Sequence, residues 1–228
     1  MKYDNITKAS FMSRPNRFTA LVQVDGATET VHVKNTGRCR ELLIKGCDIW
    51  LTAPGTPNRK TRYDLVSVRK GNGMIINIDS QAPNKVVCEW LKKRGYDVIK
   101  PEYTYGDSRI DFYMERDGVR FLMEVKGCTL EREGIGYFPD APTERGAKHI
   151  HELIKAAREG YTAILAFVIQ MNGIKEVRAN TDTDPGFGKA MEEARSAGVK
   201  IVFFLCSVTE DELVIIDEAE DHEHNKSR

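Results

Sequence analysis

The sequence predicts a chain in two parts, a small all-β barrel over residues 1–83 and an α/β domain built on a mixed sheet over residues 84–228. Two observations predict it. Short alternating runs separated by Gly, Asn and Asp fill the first third, and from about residue 84 the pattern changes to helix, three strands, helix, strand. At 228 residues and 41% apolar content the chain can bury a core in each part.

In the first part, Arg17 to Val24 and Thr28 to Val33 flank Asp25-Gly26, the dipeptide of a two-residue hairpin. Asp48 to Ala53, Arg62 to Arg69 and Met74 to Asp79 alternate as strands, the last two joined by Gly71-Asn72-Gly73. Five short strands with one helical turn near Arg40 to Ile44 fit an OB-like barrel, a fold that takes nucleic acid on one face through basic side chains and stacked aromatics. Arg14, Arg17, Phe18, Arg38, Arg40, Arg59, Lys60 and Arg62 are the candidates for that face, with solubility as the competing role for several of them. The boundary falls near Ser80 to Pro83.

In the second part, Asn84 to Arg94 reads as a helix with Asn84 as N-cap and Val86, Val87, Trp90 and Leu91 on its apolar face. A short strand near Asp97 to Lys100 precedes Arg109 to Arg116 and Val119 to Lys126, two strands joined by Asp117-Gly118. Gly127 to Thr143 shows no periodicity and reads as a loop that lines a site. A helix over Glu144 to Glu159, a buried strand over Tyr161 to Ile169, a helix near Gly186 to Ala197 and a strand over Val199 to Leu205 complete the sheet. The acidic end reads as a solvated tail.

The Asp117-Gly118 turn fixes a register. With Arg116 facing Val119, Asp111 lies opposite Glu124 and Arg109 opposite Lys126, all four on one face because side chains alternate. Two opposed carboxylates repel unless a cation compensates, and hard oxygens suit Mg²⁺ or Mn²⁺. Lys126 could then orient a nucleophilic water or stabilise charge developing on phosphate. The same spacing also fits a solvated ladder of ion pairs, Asp111 with Arg109 or Lys126.

An acid on the first helix, Asp on the second strand and Glu-x-Lys on the third resemble the PD-(D/E)XK nuclease core. That resemblance implies Asp111, Glu124 and Lys126 as catalytic residues, Asp111 and Glu124 as metal ligands and Glu89 as a third metal-associated group, which could equally be an exposed helix charge. The strings HVKNTGRCRELL, RKTRYDL, YGDSRIDF, EVKGCTL, FPDAPTERGAKHIHEL and DPGF, in order from His32 to Phe187, resemble the sugar fermentation stimulation protein A family. Membership implies an OB-like barrel before a PD-(D/E)XK domain, sequence-nonspecific DNA binding and a role in regulating sugar, notably maltose, metabolism. Cys39 and the Gly-Cys pair at 127–128 depart from the family strings without touching a ligand. In RGAKHIHEL, Arg145, Lys148 and His149 are candidates to face phosphate, helix-surface charge being the alternative, as Arg109 is from the hairpin; Gln170 could lie near the metal. Two functions follow: a Mg-dependent DNA endo- or exonuclease, or a non-catalytic DNA-binding regulator that keeps the fold as a scaffold.

Net charge is zero, but residues 1–83 hold 13 Lys+Arg against 7 Asp+Glu, residues 84–209 hold 19 against 19, and residues 210–228 hold 2 against 8. A basic first part suggests a grip on a polyanion. Five single cysteines without a C-x-x-C argue against a disulfide framework or a zinc site. No apolar run reaches membrane length and no signal-peptide core is visible, so a soluble cytoplasmic protein is expected, with DNA and no membrane as partner. Oligomeric state stays open, a homodimer included.

Overall fold

The computed structural model describes residues 1–35, 37–55 and 59–221. The first unit contains β1 (Ile6–Asn16), β2 (Thr19–Val24), β3 (Ala27–Val33), β4 (Asp48–Thr52), β5 (Asp64–Arg69) and β6 (Ile75–Asn77). Strands β3-β2-β1-β4-β5 run side by side, and a parallel pairing of His32 with Asp64 and Val33 with Leu65 closes them into a five-stranded barrel. Val22, Val31, Ile49, Leu51, Leu65 and Val68 fill it with no exposed surface. The expected helical turn is present, closed by Leu43 N–H to Cys39 C=O at 2.9 Å.

Five strands were expected and five close the barrel, yet they are not the same five. β1 was not foreseen: its eleven residues, ITKASFMSRPN, carry Lys, Ser and Pro where alternation should show, and its register shifts at Phe11–Ser13 and again at Ser13–Asn16. Those bulges bend β1 so that its first half pairs with β4 and its second with β2. The Met74–Asp79 run is instead β6, an extension paired to β5 outside the closure.

The second unit orders β15-β14-β12-β9-β8-β7, where β7 is Val98–Tyr105, β8 Ser108–Arg116, β9 Val119–Cys128, β12 Thr162–Ile169, β14 Lys200–Val208 and β15 Leu213–Glu220. β9, β12 and β14 are parallel; β7, β8 and β15 are antiparallel to their neighbours. α1 (Ala82–Leu91) covers one face with Val86, Val87 and Leu91 against Phe112, Met114, Met123 and Val125. α2 (Glu144–Arg158) and α3 (Pro185–Ser196) cover the other, in a core that continues into the barrel. Two expectations are corrected here. Gly127–Thr143 holds β10 (Leu130–Arg132) and β11 (Ile135–Phe138), which form a small sheet with β13 (Val177–Ala179). The acidic tail begins with β15, because Leu213 and Ile215 alternate inward while Asp217, Glu218 and Glu220 point out; residues 222–228 lie outside the described residues.

β6 ends at Asn77 and α1 begins at Ala82, and buried polar contacts hold the crossing. Asp79, with no exposed surface, accepts from Lys34 Nζ at 2.7 Å, Tyr3 Oη at 3.2 Å and Gln81 N–H at 2.9 Å. Gln170 Nε2 donates to Asn77 O, Asn77 Oδ1 and Asp79 O at 3.0, 2.9 and 3.1 Å. A second strut runs from Lys70 Nζ to Glu131 Oε2 and, at 3.0 Å, to Glu131 O. The Lys70 ammonium and then Gly134 N–H hold the Glu131 carboxyl below the usual range against the effect of burial. A depressed carboxyl stabilises the fold above its unfolded pKa and loses that contribution as pH falls through the folded value. Glu131→Gln should therefore melt lower than wild type near pH 7, with the difference shrinking as pH falls below the ordinary glutamate range.

Candidate active site

Both hairpin residues of the β8–β9 turn, Asp117 and Gly118, have positive φ, 51° and 75°, as a tight turn of this hand requires. The pairs run from Arg116–Val119 to Phe112–Met123. Asp111 and Glu124 are the next step of that register, where β9 is held from its other side by β12, Glu124 against Leu165. Asp111 replaces the missing ladder bond with its side chain: Oδ2 accepts from Val125 N–H at 2.8 Å and Oδ1 from Asn84 Nδ2 at 2.7 Å.

Glu124 is 2% exposed. Its Oε1 accepts from Lys126 Nζ at 2.7 Å and from His149 Nδ1, two turns into α2. His149 Nε2 in turn accepts from Arg145 Nε at 3.2 Å, so the bonding fits a neutral ring with its proton on Nδ1. Glu124 Oε2 is buried and accepts from no group among the described residues. An unsatisfied buried acceptor costs on the order of 1–3 kcal/mol, more for a charged one.

Electrostatics separate the two acids. Burial, then the Glu124 charge, push the Asp111 carboxyl up, against the pull of Val125 N–H and Asn84. Burial alone would raise Glu124 as well, but the His149 and Lys126 contacts outweigh it and hold Glu124 below the ordinary carboxylate range. The pair is thus an opposed couple of acids, Glu124 buried and Asp111 half-buried, rather than a solvated ladder.

The other sequence candidates are sorted by their contacts. Asn84 does not cap α1; Gln81 stands at that position without a side-chain bond, and Ala82 and Pro83 already begin the helix. This frees Asn84 to hold Asp111, a role the sequence did not show. Glu89, expected near the metal, binds the Met1 ammonium at 2.9 Å instead, because it lies more than a turn along α1 from Asn84. Arg109 pairs with Glu102 at 3.2 Å on the surface rather than facing Lys126, since the β8–β9 ladder has ended by then. Gln170 is spent on Asn77 and Asp79; its Oε1 lies where a Cβ on Gly127 would be, 2.3 Å away. Arg14 Nη atoms donate to four backbone carbonyls, and Arg59 pairs with the buried Asp64, so both serve the barrel itself. Arg17, Arg38, Arg40, Lys60, Arg62 and Lys148 are exposed, as is Phe18.

A family model described as the sugar fermentation stimulation protein RE domain matches residues 81–212, and one described as the SfsA N-terminal OB domain matches residues 12–78. The chain belongs to the sugar fermentation stimulation protein family. A homolog from Desulfitobacterium hafniense is 53% identical over 217 residues, 93% of this chain and 94% of its own length. A second family member, from Clostridium beijerinckii, is 49% identical over 221 residues, covering 95% and 97%. The solved Pyrococcus furiosus SfsA, described in complex with Ca²⁺, superposes with a TM-score of 0.82 at 29% identity and 96% coverage of both chains. The five-stranded barrel before a mixed-sheet domain is therefore the family's architecture. No helix among the described residues is long and apolar enough to cross a membrane.

Proposed function

We propose that this family member is a divalent-metal-dependent phosphodiesterase acting on DNA, with Mg²⁺ or Mn²⁺ held by Asp111 and Glu124. One observation carries the reading: a buried carboxylate, Glu124, keeps Oε2 without a partner beside a second acid whose own protonation its charge favours. A cation relieves both costs at once. The Ca²⁺ described with the Pyrococcus furiosus relative is a hard ion of the same oxygen-seeking class. Among the described residues no three His, Cys, Asp or Glu side chains are arranged to hold a metal ion by themselves, so the rest of the shell would fall to backbone, water and substrate phosphate, as suits Mg²⁺.

When bound, the metal supplies Lewis acidity toward phosphate and a more acidic bound water. The chain's own residues do the rest. Asn84 and Val125 N–H hold Asp111 in one rotamer, and His149, braced by Arg145, holds Glu124 by Oε1 so that Oε2 stays free. Lys126 Nζ, 2.7 Å from Glu124 Oε1, places a positive charge where phosphate oxygens would gain negative charge as the phosphodiester bond breaks. Contacts to phosphate alone carry no sequence information, so binding is expected to be nonspecific. The alternative, a DNA-binding scaffold serving sugar-gene regulation without cleavage, has the family's description behind it but leaves the orphaned Oε2 without a purpose.

Labelled single- and double-stranded DNA incubated with the protein should be cut with Mg²⁺ or Mn²⁺ and left intact in EDTA. If DNA is bound but neither form is cut with either metal, the scaffold reading replaces this one.

A further inference from the structure

One large concavity among the described residues does not contain Asp111 or Glu124. It is a cleft of about 900 Å³ between the barrel and the segment that leads into α2. Its lining is largely apolar, with Leu43 on the barrel side and Phe138, Pro139, Ala141 and Pro142 opposite, interrupted by the half-buried Asp140 carboxylate. Its barrel rim carries Arg17, Arg38 and Arg40, all exposed and in no ion pair among the described residues. We infer that this cleft seats a single strand of nucleic acid, with bases on the apolar floor and phosphates on the three arginines, and feeds it along the first turns of α2 to Glu124. The inference rests on the phosphodiesterase reading for the class of substrate.

Two features argue for a strand over a duplex, and two more for this cleft as its seat. At about 900 Å³ the cleft has the volume of a small-molecule pocket, room for a short piece of splayed strand rather than for the body of a duplex. An apolar floor rewards unstacked bases, whose faces a duplex hides, whereas cations alone would serve either form. The arginines are also preorganised. The half-buried Arg14 guanidinium binds the carbonyls of Arg17, Asn35, Gly37 and Arg38, so one clamp fixes the backbone from which Arg17 and Arg38 project. The opposite wall is locked to the same loop: a Cβ on Gly37 would lie 2.2 Å from Asp140 Oδ2, so only glycine lets that carboxylate seat there. Finally, the cleft adjoins the helix that carries His149. Thr143 lines it and is the N-cap of α2, and the six residues from there to His149 span about 9 Å along the helix axis, past Arg145 and Lys148.

Fluorescence anisotropy in EDTA, at one fixed salt concentration, tests this on the full chain with a labelled oligothymidine strand and a blunt duplex of equal length. Wild type should bind the strand about tenfold or more tighter than the duplex. The triple variant Arg17→Ala/Arg38→Ala/Arg40→Ala should lose about tenfold or more of the strand affinity and, when the salt is then varied, show a flatter dependence, since each phosphate contact contributes to the slope. Arg40→Glu alone, outside the Arg14 clamp, should show a loss in the same direction if the triple variant folds poorly. Lys92→Ala/Lys93→Ala, exposed and outside the cleft, should bind the strand like wild type. Equal or tighter binding of the duplex, or a strand affinity indifferent to both cleft variants, overturns the inference and leaves the cleavage reading standing. Binding of neither form overturns both; strand binding without cleavage removes only the phosphodiesterase reading.

Discussion

Mg²⁺ or Mn²⁺ should raise the melting temperature of the wild type by about 5–10 °C when present at roughly a hundred times its dissociation constant, and should leave Asp111→Asn/Glu124→Gln unmoved. The magnitude follows from mass action: such a ligand contributes about 2.7 kcal/mol, and a chain of this size shifts by about 2–4 °C per kcal/mol. Without metal the double variant should melt at or above wild type. It removes the repulsion between the buried Glu124 and half-buried Asp111 carboxylates and the orphaned charge on Oε2, while the amide that replaces the Glu124 carboxylate keeps one carbonyl oxygen for Lys126 and His149. Against this stands the loss of the Lys126–Glu124 ion pair, which is partly buried and so not negligible. A double variant that melts far below metal-free wild type would mean that the carboxylates serve the fold. One that keeps the metal-dependent shift would place the ion elsewhere.

The register behind that experiment was legible because Asp117-Gly118 leaves a two-residue hairpin little freedom, and alternation then fixes which side chains meet. α2 was legible for a similar reason, an apolar stripe of Ile150, Leu153 and Ile154. What the sequence hid has a common cause: the missing information is long-range. β1 alternates poorly because it serves two partners through bulges, so no single face is uniformly buried. β15 is masked by the acids on its exposed face. Asn84 had the right chemistry for a cap, but Ala82 and Pro83 had already begun the helix. Arginines are the sharpest case. Arg14 and Arg17 are three residues apart, chemically identical and both border the cleft, yet one is consumed by backbone carbonyls and the other stays exposed. Likewise Arg59 neutralises the buried Asp64, so Arg59→Ala would report on folding before it reported on binding.

Lys126→Ala and His149→Ala should separate the two donors that share Glu124 Oε1. Lys126→Ala should lower the rate of DNA cleavage by about 10²–10⁴-fold, because a charge or proton-transfer group acting in the transition state is lost. Both carboxylates remain and His149 still holds Glu124, so the metal-dependent rise in melting temperature should survive. His149→Ala acts differently. It loosens Glu124 and releases Arg145 but removes no group that touches phosphate in the chemical step, so the expected loss is about 10–100-fold, as for residues that orient a ligand. That loss should shrink as Mg²⁺ or Mn²⁺ is raised, since a poorly held ligand shows as weaker metal affinity, whereas no metal concentration should restore Lys126→Ala. Single-turnover cleavage as a function of metal concentration reads both. If excess metal rescues Lys126→Ala instead, its ammonium serves to hold Glu124 in place, and the charge that faces the breaking bond must come from Lys148 or Arg145 on the first turns of α2.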